Sequence, residues 1–192
     1  MKVVKSNSRT MSEAEQRTLS SVLKAWAGAT TAQIIFDSTV DEFDTPTFFS
    51  AIRGKRNVAS FCITSRGDVC GGFTQCPIWW RNDEYRDPGH FVFSFQSRGR
   101  FPTPQRWFLR PEVRHCPCVT VPPGSDFLLT FGDRYNFGLG NERANTTCEW
   151  MHATYAVDKR FRLTTTDPAV ASRHPHTCVR VVAVWFPACG GD

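Results

Sequence analysis

A chain of 192 residues with 41% hydrophobic and 21% charged residues has the usage of one globular domain, which excludes a disordered or fibrous protein and separate cofactor and substrate domains. Its net charge of +5 is mild, permitting attraction to nucleic acid, acidic proteins or acidic membranes without requiring any of them. The 16 Phe, 6 Trp, 12 Pro and 13 Gly favour short strands joined by many turns over a helical bundle.

Residues 1–11 are polar and unpatterned and are expected to form a mobile arm before a single domain over 12–188. The arm lacks the apolar centre of an export signal, and no apolar run reaches the roughly 20 residues that cross a bilayer. A cytoplasmic location without membrane insertion follows as the expectation. The eight cysteines are then expected to be thiols, and the sequon at Asn145 is not expected to be glycosylated.

The first helix is clearly punctuated. Ser12 caps it and Glu15 completes a capping box. Leu19, Val22, Leu23 and Trp26 recur on one stripe, and Gly28 supplies the stop. Gln33–Phe36 reads as a short buried strand ending in an acidic turn, and Thr45-Pro46 opens a second helix with Pro at its first position. Val58–Thr64 and Val69–Thr74 flank Ser65-Arg-Gly-Asp68 as a hairpin. In its second arm, Gly71-Gly72 marks a bulge or a close backbone approach. Strands follow at 91–95, 107–109, 118–121, 127–131, 135–139 and 161–165, with a tight turn at Gly132-Asp133. Val179–Phe186 is apolar enough for a central strand. Two helices and some nine strands give an α+β class: a mainly antiparallel two-sheet β-sandwich flanked by short helices.

The ordered motifs resemble the TLDc domain family. They are Trp26-Ala-Gly28, then Ile34-Ile-Phe-Asp37-Ser38 with Asp41, then Gly71-Gly72-Phe73. Asp87-Pro-Gly-His-Phe91-Val-Phe-Ser-Phe95, Phe131-Gly132 with Tyr135–Leu139, and Val181–Trp185 complete the set. The resemblance runs from about Leu19 to Phe186 and is nearest to the divergent, stand-alone form found in some single-celled eukaryotes. It implies a β-sandwich and a non-enzymatic, cytosolic interaction protein tied to oxidative-stress resistance. It further implies a protein partner among the peripheral subunits of the vacuolar proton pump (V-ATPase), with no established catalytic set and no cofactor. Two positions depart from the family pattern: Ala183 replaces an acidic residue, and the segment around Asn145–Trp150 keeps only part of its motif.

Several residue groups carry chemistry of their own. Asp37, Asp41, Glu42 and Asp44 cluster as calcium ligands do, but without the spacing of a calcium loop, which favours a capping turn. His115, Cys116 and Cys118 form the strongest zinc or thiol-redox signature, with Cys76 and Cys148 as further zinc ligands. No second Cys pair completes it, which favours incidental thiols. Arg98, Arg100, Arg106, Arg110 and Arg114 with Phe101, Trp107 and Phe108 suit an acidic protein partner or single-stranded nucleic acid. A strand whose aromatics face the core and whose arginines stay solvated is the favoured reading, a protein partner comes next, and the mild pI of 8.9 places nucleic acid last. No nucleophile elbow, zinc-protease motif or phosphate loop is present, so an enzyme is not expected.

Overall fold

The computed structural model describes residues 11–80, 83–97, 101–113, 119–120, 127–132, 137–140, 147–148, 154–156 and 178–188. Helix α1 (Glu13–Ala27) begins as its sequence dictates. The Ser12 hydroxyl accepts the Glu15 N–H at 3.3 Å while the Glu15 carboxylate accepts the Ser12 N–H at 2.8 Å. Gly28 closes the helix in the left-handed region at φ 65°. Leu19 and Leu23 are buried beneath it, joined by Met11, and each fully buried apolar side chain contributes about 1.5–3 kcal/mol.

Six strands form the larger sheet: β1 (Gln33–Asp37), β2 (Val58–Thr64), β3 (Val69–Thr74), β5 (Phe91–Gln96), β6 (Gln105–Phe108) and β11 (Cys178–Trp185). Five form the smaller one: β4 (Glu84–Tyr85), β7 (Val119–Thr120), β8 (Phe127–Phe131), β9 (Phe137–Gly140) and β10 (Thr147–Cys148). Their orders are β1-β11-β2-β3-β5-β6 and β10-β9-β8-β7-β4, and every described pairing is antiparallel. The class expected from the sequence, an antiparallel two-sheet sandwich with few helices, is the class observed. Among the described residues no helix is long and apolar enough to cross a membrane.

Alternation along β2 explains the layering, because successive side chains leave a strand on opposite faces. Ala59, Phe61 and Ile63 join Leu19 and Leu23 in one core under α1, whereas Val58 and Cys62 join Leu129, Phe131 and Phe137 in a second core between the sheets. Both central strands are therefore buried along their whole length. Helix α2 (Thr45–Ile52) adds Phe48, Phe49 and Ile52 to the inter-sheet core.

Several local expectations are corrected. β1 is an edge strand, not a buried one: Ile34 is 59% exposed, because only β11 pairs with β1. Asp44 caps α2, so Thr45 takes the first helical position and Pro46 the second. Of the two expectations for the glycine pair the bulge fails, since the shift between β3 and β5 falls at Val69/Cys70. The close backbone approach holds at Gly71, where a Cβ would overlap the Ser60 carbonyl oxygen. A Cβ on Gly72 would instead overlap the Phe131 ring of the opposite sheet. β4 and β10, two residues each, carry too little pattern to be read from sequence. The strand expected at 161–165, the turn residue Asp133 and the sequon at Asn145 lie outside the described residues.

Candidate functional site

Pro77, which cannot donate to a ladder, follows the end of β3, and the chain leaves the sheet as Gln75-Cys76-Pro77-Ile78-Trp79-Trp80. Three anchors hold this loop. The Asp87 carboxylate accepts the N–H groups of Gln75 at 2.6 Å and Cys76 at 3.1 Å. Gly54 donates to the Ile78 carbonyl at 2.8 Å, and the Ile78 side chain is buried. Tyr85 of β4 accepts the N–H groups of Trp79 and Trp80 at 3.1 and 2.6 Å and donates its hydroxyl to the Trp80 carbonyl at 2.8 Å.

Despite that anchoring, the two indoles remain 51% and 61% exposed. Trp79 lies against Gly54, where φ is +72° and an added Cβ would stand 2.8 Å from the ring. The Arg53 guanidinium carbon lies over Trp80, 5.3 Å from the ring centre. This is a rigid aromatic platform with a cation fixed upon it. Trp and Arg supply most of the binding energy in protein interfaces, and large rings immobilised in advance lose little entropy on docking.

Behind the platform, Asp87 and His90 form a buried hub. The Asp87 carbonyl can only accept, so the contact of 2.6 Å from His90 Nδ1 places the ring proton on Nδ1. His90 Nε2 then accepts the Tyr155 hydroxyl at 2.9 Å. Burial lowers the pKa of His90 against the opposing pull of the Asp87 carbonyl and charge, leaving a neutral ring. The Cys76 thiol is pushed up to about 12, first by burial and then by the Asp87 charge. It stays protonated and is a poor nucleophile. The hub thus braces the loop that carries the indoles.

The acidic turn is braced too. Asp37 Oδ1 accepts from Thr39 N at 3.1 Å and from Arg180 Nε at 3.0 Å, while Asp37 Oδ2 pairs with Arg180 Nη2. Burial works to raise the Asp37 pKa, but the Arg180 and Thr39 hydrogen bonds outweigh it and hold the carboxyl below its ordinary value. Ser38 accepts Val181 N at 2.9 Å and Asp41 accepts Asp37 N at 2.8 Å. The turn rivets β1 to β11.

Of the arginines singled out in the sequence, Arg106 lies among the rings of Trp26, Phe91 and Phe108 and donates to the Trp26 carbonyl at 3.1 Å. It ties the end of α1 to the sheet. Arg110 donates to the Tyr155 carbonyl at 3.1 Å. Arg98, Arg100, Arg114, His115, Cys116 and Cys118 lie outside the described residues. Gly72 and Phe131 meet at the sheet–sheet contact, Gly71 lies against Ser60 and Phe61 of the neighbouring β2, Gly132 follows β8 at φ 82°, and Trp185 ends β11 with Lys55 Nζ 5.9 Å from its ring. Ala183, at the position of the family's acidic residue, is fully buried between the sheets. Cys62, Cys70, Cys76 and Cys178 are thiols.

Trp79 and Trp80 were not legible as a site. Their signal is the only adjacent pair of tryptophans in the chain, but adjacency does not reveal that both rings stay exposed.

A search among curated proteins returns no match. The family model described as TLDc domain matches residues 4–165, covering α1 and the strands through β10. β11 follows that segment, yet it pairs with both β1 and β2 inside the larger sheet. With the match extending over most of its 192 residues, the chain belongs to the TLDc domain family.

Proposed function

We propose that the protein is a non-enzymatic, cytoplasmic interaction domain of TLDc type that docks a protein partner on Trp79 and Trp80. The partner proposed from the family resemblance is a peripheral subunit of the vacuolar proton pump, and the cellular role is resistance to oxidative stress. One observation carries this reading: two tryptophans more than half exposed, yet held by hydrogen bonds to Tyr85 at their backbone. Exposure of that much aromatic surface on a rigid support fits a binding surface better than a packing accident. The buried His90 and protonated Cys76 serve the loop's architecture.

The test is capture of purified pump peripheral subunits by the protein and by the Trp79→Ala/Trp80→Ala variant. Saturable capture by the parent protein, weakened at least about tenfold in the variant as expected for two interface tryptophans, supports the reading. Equal capture by both, or none by either, overturns it.

A further inference from the structure

We infer that the segment received by the tryptophan platform is acidic, a peptide stretch carrying several carboxylates among apolar residues. The inference rests on the reading of Trp79 and Trp80 as the docking surface and adds the chemistry of what docks there. Arg53, Lys55 and Arg56 stand within four consecutive positions beside the platform. No described carboxylate forms an ion pair with any of them, whereas Arg17 pairs with Glu13 and Arg180 with Asp37. Two of the cations are already positioned, Arg53 over Trp80 at 5.3 Å and Lys55 over Trp185 at 5.9 Å.

Asp83, Glu84 and Arg86 are exposed around Tyr85, the residue that anchors the loop, so four cations stand against two carboxylates along 53–56 and 83–86. Asp83 is partly engaged, accepting the Glu84 N–H at 2.9 Å. The excess positive charge is local and complements an anionic ligand. A guanidinium held over an indole keeps N–H donors for a carboxylate, which it can meet bidentately. Anionic lipid would satisfy the same charges, but Trp79 is half-buried against Gly54 instead of projecting freely as a membrane wedge does. That geometry favours a peptide laid across the rings.

The experiment measures fluorescence anisotropy of a labelled peptide of Glu-Glu-Leu repeats and its Gln-Gln-Leu counterpart against the whole protein. The Glu peptide is expected to bind about tenfold more tightly, as the summed effect of three exposed ion pairs. Raising salt from about 0.05 M to about 0.5 M should erase most of that difference. Arg53→Glu/Arg56→Glu should remove the preference, with Arg53→Gln/Arg56→Gln as the milder variant should the first perturb folding. Trp80→Ala should weaken both peptides.

If Trp80→Ala weakens both peptides but the Glu and Gln peptides bind alike, the acidity is overturned and the platform survives. Should Trp80→Ala leave Glu-peptide binding unchanged, the platform itself falls. Binding of neither peptide overturns the inference, as does preferential binding of phosphatidylserine vesicles over the Glu peptide, which would assign the charges to a lipid surface.

Discussion

The Tyr155 hydroxyl and His90 Nε2 meet at 2.9 Å, both side chains wholly buried, and thereby join the segment after β10 to the loop before β5. Because His90 donates from Nδ1 to the Asp87 carbonyl, it can accept from Tyr155 only while neutral. In the unfolded chain this imidazole titrates near its ordinary 6.5, whereas burial holds the folded value lower. The unfolded state therefore takes up a proton first, and folding stability falls as pH drops below about 6.5, approaching about 1.4 kcal/mol per pH unit for one proton. Urea unfolding midpoints followed from neutral to mildly acidic pH should show this slope. His90→Gln should flatten it, and an unchanged slope in that variant would assign the acid loss to other groups. Tyr155→Phe should cost about 1–3 kcal/mol by leaving the His90 acceptor without this donor.

Gly72 and Phe131 set the spacing between the sheets. Gly72→Ala should destabilise the protein by about 1–3 kcal/mol through overpacking. Phe131→Leu should cost stability in the parent protein but less on the Gly72→Ala background, because the smaller side chain relieves the overlap. A double-mutant cycle by chemical unfolding measures the coupling, and additive costs would refute the contact.

Ser60 and Ser94 present hydroxyls to the inter-sheet core that no polar atom among the described residues satisfies. Each hydroxyl is buried without a compensating bond from the described residues. Ser60→Ala should accordingly stabilise the fold by about 1 kcal/mol. A lower unfolding midpoint in that variant would show that the hydroxyl has a partner in solution.

The Asp37 carboxylate is held below its ordinary 3.8 by Arg180 and Thr39, which overcome the opposing effect of burial. Its contribution is complete above about pH 4 and is lost as pH falls through that range and below. Arg180→Ala should cost about 1–3 kcal/mol at neutral pH, between the values for exposed and buried pairs. It should also move acid unfolding to higher pH, and acid unfolding at the parent's pH would contradict the assignment.

Asp87 links the hub to the platform. Asp87→Asn replaces one acceptor with a donor opposite two backbone N–H groups and should cost about 1.5–3 kcal/mol. Amide exchange at Gln75 and Cys76 should quicken, and partner affinity should fall although both indoles remain. Unchanged exchange would detach the platform's rigidity from this carboxylate.

The chemistry of short chain segments determined the capping box of α1, the 64–69 hairpin and the self-bonded turn at Asp37, because each interaction joins residues only a few positions apart. Alternation also exposed the sandwich class, since a strand buried on both faces must be apolar along its length. Tertiary structure alone decided what those elements meet. His90 finds Tyr155 across 65 positions and Asp37 finds Arg180 across 143, pairings that no local pattern encodes. It placed Arg106 on three rings as a brace for α1 and made β1 an edge. It also left Trp79 and Trp80 uncovered, because whether an aromatic ring is core or surface depends on what folds over it, and nothing in the described chain does.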